Sequence, residues 1–562
     1  MKSQHEGDLL TAAQEWADHD PDPVTRNEIL NYLERGDFDR LSELFQARLT
    51  FGTAGIRGKL GPGPTRMNRV AIRRLAFGLA TYLHSSGTIV IGHDSRHNSS
   101  SFAQDICDVL TSEGIDVSIF SFPVPTPVLA YSVRYAKADL GVMVTASHNP
   151  ALDNGCKVFL SDGAQLRSPI DKEIDQLIQT GGLPPLTIPQ GEGTLTQLNS
   201  EIWEAYCQTI ASSVREGTPD LRVAYTPLHG VAWKTIKSVF ERSNTATLIP
   251  VSEQVEPDPD FPTVPFPNPE EEGAMGLLLD LAVSHDADLA IANDPDGDRL
   301  AAAIPTKSGR WRVLTGDEIG ALLFDRITET TKGEKRKVVS TLVCSSLVSK
   351  IAARKEIRHA ETLTGFKWII PEAYRDPSFT PIFCYEEALG YATNGAVRDK
   401  DGISAALLLA EVASDCRNHG ESINDRLNRL SVDYGHHVVA TRRVRLEGGV
   451  TTNNLHSAMQ GLRQHPIKSL AGMQIVKIVD YQQPDSHPQI PPANLLKYEL
   501  EHDMRILVRP SGTEPMIKIY MEKVTPISSI DFIDDSEQQA QKMFEEAGAE
   551  LEEILRLQAT MD

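Results

Sequence analysis

Short apolar runs, most of them ending in a polar or glycine-rich loop, recur along the chain and alternate with stretches of helical period. Thr88–Ile91, Asp116–Phe120, Leu140–Val144, Arg222–Tyr225, Asp288–Ala292, Val338–Val343 and Pro381–Cys384 read as short, mostly buried strands. Between them, helices are predicted near 70–84, 102–113 and 403–412. Another has Ile319, Leu322, Leu323 and Ile327 on one face, with Thr315 or Asp317 as its cap. Strands alternating with helices predict mainly parallel α/β sheets. Residues 1 to about 50 read as polar helix, broken at Asp20-Pro21-Asp22-Pro23 and resuming from Arg40 to Leu49. Asn154-Gly155 predicts a tight turn, after which Lys157 returns on a strand towards Ser147. Pro184 to about Gly193 reads as a boundary or exposed loop, and Glu256 to Glu272 as a long surface loop outside the core. The pattern divides the chain into 1–200, 201–313, 314–436 and 437–562. The last part has a strand at Arg505–Val508 and an acidic helix from about Ser536 to Leu557.

The loops after these runs carry the chemistry. Thr145-Ala146-Ser147-His148-Asn149-Pro150 places a hydroxyl where a buried strand stops, and Ser147 is the candidate covalent phosphate carrier. Asp294-Pro295-Asp296-Gly297-Asp298-Arg299 offers carboxylates at alternate positions, suited to one hard cation such as Mg²⁺, with room left for a phosphate oxygen. A calcium loop fails on spacing, since Arg299 and Pro305 stand where an EF-hand needs Gly and Glu. Phe51 to Lys59 is a glycine-rich loop with Arg57 inside it, suited to phosphate contact. Glu386-Glu387 follow a strand and can accept hydrogen bonds from sugar hydroxyls, although Glu is equally at home at a helix start. Arg509-Pro510-Ser511-Gly512-Thr513 combines a planar donor pair, two hydroxyls and glycine-freed backbone N–H groups, a set that fits a phosphate not undergoing reaction.

Length and composition limit the alternatives. At 562 residues the chain has room for three or four domains. No apolar run is long enough to span a membrane and the start lacks a signal peptide, so a cytoplasmic protein is expected. A formal net charge of −22 argues against nucleic acid and anionic membranes as partners, and requires a locally basic pocket for any anionic substrate. The six cysteines form no CxxC pair and are expected to be buried thiols.

In order and over almost the whole chain, Phe51–Gly58, Thr145–Pro150, Asp294–Arg299, Glu386–Gly390 and Arg509–Pro515 resemble the signature regions of the α-D-phosphohexomutases. Gly61-Pro62-Gly63, Asp258–Thr263 and Thr362–Trp368 resemble the phosphoglucomutase-2 branch in particular. The resemblance implies three similar α/β domains with mixed sheets and a smaller C-terminal α+β domain around a central cleft. It also implies interconversion of α-D-glucose 1-phosphate and glucose 6-phosphate through a phosphoserine at Ser147 and glucose 1,6-bisphosphate. Asp294, Asp296, Asp298 and the Ser147 phosphate would hold Mg²⁺. Arg57, Lys157, His148 and Lys400 would serve catalysis. Glu386, Arg299, Arg509, Ser511, Gly512 and Thr513 would bind substrate. Domain closure would exclude water, and the protein would act on small sugar phosphates as a monomer or weak homodimer. Many hexose mutases carry Ser two residues after the sugar-binding Glu, where this chain has Ala388. Phosphopentomutase and phosphomannomutase activities therefore stand as alternatives. Two rivals come from other functional classes, the second of them keeping the same fold. One is a haloacid-dehalogenase-type phosphatase with Asp294 as nucleophile, disfavoured by Asp298 where Thr or Val is preferred. The other is a non-catalytic sugar-phosphate sensor.

Overall fold

The structure is a computed structural model describing residues 2–50, 55–215, 220–445, 452–483, 489–511 and 516–559. The chain forms two compact units, one made of residues up to Leu314 with Leu389–Asp415, the other of Thr315–Ala388 with Cys416 onwards.

The first unit opens with helices Lys2–His19, Pro23–Arg35 and Phe38–Phe45. The break at Asp20 to Asp22 is where it is expected: Asp22 caps the second helix by accepting the Val24 N–H, with Pro23 at its first position. Two mixed sheets follow. In the first, Leu140–Val144, Thr88–His93, Asp116–Phe120 and Leu195–Leu198 run parallel, in that order. Asp153–Leu160 and then Ile56–Lys59 add on antiparallel beside Leu140–Val144. In the second, Thr247–Pro250, Arg222–Thr226 and Leu289–Asn293 are parallel, and Leu300–Pro305 and Trp311–Val313 extend them antiparallel.

The strand order sets the position of the chemistry. In each sheet the first parallel strand is central, its successor lies on one side and the third on the other. The connections therefore diverge between the first and third strands, leaving a crevice at their carboxyl ends where ligands bind in open α/β sheets. The loop carrying Ser147 leaves that end of the first sheet and the loop carrying Asp294 leaves it in the second.

Two expectations change here. Asn154-Gly155 lies inside the strand Asp153–Leu160, not in a turn. Asn154 is buried and donates to His97 O and Ser99 Oγ, and a Cβ on Gly155 would stand 2.3 Å from Ile56 O. The pair thus serves close packing, while the chain reverses earlier, over Ser147 to Leu152. The Glu256–Glu272 stretch has no helix or strand, but it is not all surface: Phe261 and Val264 are buried with Leu228.

In the second unit, Arg358–Thr362, Arg336–Thr341 and Thr380–Glu386 form parallel neighbours in that order, with the same divergence. Thr315 caps the helix Gly316–Thr330 in a capping box with Glu318. The C-terminal sheet is antiparallel, in the order His436–Val444, Ile517–Thr525, Met504–Pro510, Leu496–Leu500, Met473–Asp480, Ser469–Leu470. The acidic helix Ile533–Ala559 buries Ala540, Phe544, Ala547, Leu551 and Leu555 in that domain's core, leaving its charges largely to solvent. All six cysteines are free and buried. No helix among the described residues is long and apolar enough to cross a membrane.

Candidate active site

Ser147 stands in the first turn after its strand with φ 54°, a left-handed conformation that costs a non-glycine residue energy and is held only by surrounding contacts. Those contacts are present. Its N–H donates to Thr145 Oγ1 at 2.9 Å, and its carbonyl accepts from Arg96 Nη2 at 2.6 Å. Arg96 also reaches the carbonyls of Asn149 (2.6 Å), Pro150 (2.8 Å) and Asp153 (3.2 Å), so a single guanidinium gathers four carbonyls of the loop. The other side of Arg96 lies 4.8 Å over the Phe261 ring, which explains why that residue of the Pro-rich loop is buried. Sequence reasoning assigns Arg96 no role; its position just past a strand end, in Asp94-Ser95-Arg96, was the available signal.

The Ser147 hydroxyl lies 3.0 Å from Asp294 Oδ2 and 3.4 Å from His148 Nδ1. Asp294, Asp296 and Asp298 are wholly buried and bring one oxygen each to within 4.8 Å of one another. Gly297, at φ 71°, lets the loop turn back so that its N–H bonds Asp294 O, while Arg299 N–H bonds Asp294 Oδ1. Lys157, on the returning strand as expected, places Nζ 2.5 Å from Asp296 and 2.6 Å from Asp298. Thr126, which the sequence did not single out, donates to Asp296 Oδ2 at 2.5 Å. Lys400 Nζ lies 3.4 Å from Asp298, and the adjoining Asp399 accepts from Gln165. The Arg299 side chain comes within 4.0 Å of Asp298.

Asp296 Oδ1 and Asp298 Oδ1 are buried without a hydrogen-bond donor among the described residues. An anionic oxygen left bare in the interior is costly unless a cation completes it. An all-oxygen donor set of three carboxylates fits a hard divalent ion. Burial and Asp296 push the Asp298 carboxyl up, but Lys157, Lys400 and Arg299 outweigh them and leave it below the usual range. Burial, with Arg299 and Arg57 beside it, holds His148 well below the usual histidine range, so its ring is neutral.

Arg57 is on the strand Ile56–Lys59, not in a glycine loop, and donates to Asn149 Oδ1 at 3.2 Å. Phe51–Ala54, the start of that motif, lie outside the described residues.

In the second unit, Glu386 ends its strand and accepts the Gly365 N–H at 3.1 Å, so the Thr362–Trp368 motif serves to orient this carboxylate. No helix starts at Glu386-Glu387. Thr341 Oγ1 donates to Glu387. Arg509 Nη2 bonds Tyr520 OH at 3.0 Å; burial pulls the guanidinium pKa down, and Tyr520, Glu387 and Glu386 pull it up by more. Ser511 N–H bonds Met516 O, while Gly512 and Thr513 lie outside the described residues.

Four family models match in order: phosphoglucomutase/phosphomannomutase α/β/α domains I (48–183), II (204–308) and III (315–434), and the C-terminal domain (476–529). A "Probable phosphomannomutase" of Haemophilus influenzae is 36% identical over 466 residues, covering 81% of this chain and 93% of that one. A phosphoglucomutase of Staphylococcus aureus is 34% identical over 514 residues (88% and 93%), and a human phosphopentomutase 34% over 565 residues (92% of each). Among solved structures, a phosphoglucomutase/phosphomannomutase family protein from Burkholderia thailandensis shares the fold with TM-score 0.66 at 19% identity, covering 88% of this chain and 96% of that one. So does an N-acetylphosphoglucosamine mutase of Aspergillus fumigatus, seen with GlcNAc-6P and magnesium, with TM-score 0.51 at 14% identity, covering 92% and 97%. The fold and the two loops of the first unit define a sugar-phosphate isomerase that works by phosphoryl transfer. The chain belongs to the phosphoglucomutase/phosphomannomutase family. That membership replaces the phosphatase reading.

Proposed function

We propose that the protein interconverts α-D-glucose 1-phosphate and glucose 6-phosphate, with Ser147 as the phosphoryl carrier. The observation that carries this is the Ser147 hydroxyl 3.0 Å from a buried carboxylate trio of which two oxygens have no donor among the described residues. Asp294, Asp296 and Asp298, with an oxygen of the Ser147 phosphate, would hold Mg²⁺, which when bound offsets charge on the transferring phosphoryl group. The free hydroxyl of a sugar monophosphate attacks phosphorus. Its new O–P bond forms as the Oγ–P bond breaks, and its proton passes, by way of Lys157 or Lys400, to the Ser147 oxygen that leaves. The product, glucose 1,6-bisphosphate, returns its other phosphoryl group to Ser147 and leaves as the isomer. The same bisphosphate primes an unphosphorylated enzyme. Arg57 and Arg299 add positive charge, and neutral His148 can donate to a phosphate oxygen. Glu386 accepts from sugar hydroxyls, and Arg509, Ser511, Gly512 and Thr513 hold the phosphate that is not reacting. We place the protein in the cytoplasm, as a monomer or weak homodimer.

Ser147→Ala should lower turnover by at least about a thousandfold and remove a phosphopeptide containing residue 147 from the mass spectrum of the untreated protein. Turnover retained by this variant would overturn the reading. Ala388 and the human phosphopentomutase relative favour pentose phosphate as the second reading. Comparing kcat/KM on glucose, mannose and ribose 1-phosphates, with Mg²⁺ and a trace of glucose 1,6-bisphosphate, decides between them. A preference for ribose would make Ala388 a specificity determinant.

A further inference from the structure

On the first unit, behind the acidic loop, lies an open cavity of about 640 Å³ that the proposed reaction does not use. Its size falls within the usual range for small-molecule sites, about 300–1,000 Å³. Phe122, Trp203 and Trp233 line it together with Lys234, Lys237 and Arg242. Lys234 Nζ sits 4.2 Å from the centre of the Phe122 ring and 4.9 Å from that of Trp203, and makes no ion pair among the described residues. Lys237 reaches Glu241 only at 3.9 Å, between two exposed side chains. Arg242 bonds neutral partners, Ser238 Oγ and Gln208 Oε1. Of the two carboxylates at the wall, Glu241 and Glu256, neither neutralises Lys234. A concentration of cations on aromatic walls is unexpected on a chain of net charge −22.

We propose that this cavity binds a planar aromatic anion of nucleoside monophosphate size, its ring against Trp233 and its charge on Lys234 and Lys237. Trp233 is stacked on Tyr225 on one side, its indole suits a flat base, and the ammonium held beside it on Phe122 and Trp203 supplies the counter-charge. The floor makes the site more than a surface feature. Val231 N–H bonds Pro295 O at 2.9 Å, and a Cβ on Gly230 would stand 2.3 Å from Pro295 Cα. Pro295 lies between Asp294 and Asp296. An occupant therefore rests one hydrogen bond from the acidic loop, and its binding should change the Mg²⁺ concentration that gives half-maximal activity.

The test is calorimetry with AMP on the full-length protein, backed by quenching of tryptophan fluorescence, since two of the five tryptophans line the cavity. AMP is expected to bind with a Kd below about 1 mM. Lys234→Glu/Lys237→Glu should weaken it at least about tenfold while leaving mutase kcat without AMP unchanged, and Trp233→Phe should weaken it less. Adenosine and inorganic phosphate, each lacking half of the recognition, should bind at least about tenfold more weakly than AMP. Equal AMP affinity in the double variant would assign binding to the sugar-phosphate site and overturn the proposal. So would absence of binding at 10 mM, or phosphate binding as tightly as AMP. Binding without any change in Mg²⁺ dependence would overturn the coupling to the acidic loop.

Discussion

Arg96 shows how one side chain can hold together the loop that carries Ser147. Its fork meets the carbonyls of Ser147, Asn149, Pro150 and Asp153, and its stem and face are buried under Phe261. Lysine has one charged centre where arginine has a planar set of donors, so it cannot span four carbonyls. Arg96→Lys should therefore leave buried carbonyls without donors, at about 1–3 kcal/mol each, and let the serine drift. We expect kcat to fall about a hundredfold with KM within about threefold, because misplacement of the nucleophile costs transition-state alignment more than ground-state binding. Steady-state kinetics together with a melting curve check this. A rise in KM at unchanged kcat would mean that Arg96 acts on the substrate. In the sequence, Ser147 and the three aspartates were legible because their residue types and spacing are themselves the chemistry. Arg96 and Thr126 were not, because their partners lie 51 or more residues away and only folding brings them together.

At the scale of elements, close strand packing and helix starts carry testable consequences. The strand Ile56–Lys59 carries Arg57 and pairs antiparallel with the Gly155 strand, Arg57 opposite Gly155, where a methyl group would meet Ile56 O at 2.3 Å and Arg57 Cα at 3.1 Å. Both contacts are backbone and cannot rotate away. Gly155→Ala should displace that edge strand, destabilise the protein by about 1–3 kcal/mol and cut kcat/KM more than tenfold, as thermal melting and kinetics would show.

In the second unit, Asp317 sits near the start of the helix Gly316–Thr330. Its Oδ1 accepts from the Ser345 N–H and the Tyr385 hydroxyl. Burial raises its pKa to about 7, and Glu387 and Glu522 push it the same way, against the hydrogen bonds from Ser345 and Tyr385. The folded protein thus keeps a proton that the unfolded chain releases near pH 4. The stabilisation is full below about pH 4 and is lost as pH rises through about 7, a swing on the order of 4 kcal/mol. Asp317→Asn keeps both acceptor contacts without the charge. It should raise the melting temperature at pH 8 and change it little at pH 4. An equal change at both values would remove Asp317 as the cause. The strands and helices themselves were largely visible in the apolar runs, down to Leu140–Val144 and Asp116–Phe120. The Asn154-Gly155 turn failed because glycine also suits a strand whose paired neighbour lies too close for a Cβ, and asparagine suits a buried strand position that bonds an adjoining loop.

For the whole molecule, the main consequence concerns charge. A chain of net charge −22 buries three carboxylates together at a point where two of their oxygens find no donor among the described residues. Adding Mg²⁺ should therefore stabilise the protein as well as activate it. At about a hundred times Kd the gain is about 2.7 kcal/mol, read as a rise in melting temperature. Chelation should abolish turnover and reverse the rise together. The Asp296→Asn/Asp298→Asn variant, with that charge removed, should melt independently of Mg²⁺. A melting temperature indifferent to Mg²⁺ in the unaltered protein would place the metal elsewhere.

What the sequence by itself determined was which candidate groups stand at strand ends and their order along the chain: a serine after one strand, three aspartates after another, a glutamate after a third. Those assignments rest on local pattern, since a strand end and a ligand spacing are each written within a few consecutive residues. Only the tertiary structure decided that the serine and the aspartates meet. Each of their sheets places its third parallel strand across from its second, which opens a crevice at the loop that follows. Contacts such as Arg96 with the serine loop and Lys157 between Asp296 and Asp298 join residues 51 to 141 positions apart. No local pattern records such pairings, because they arise from strand order and packing rather than from neighbouring residues.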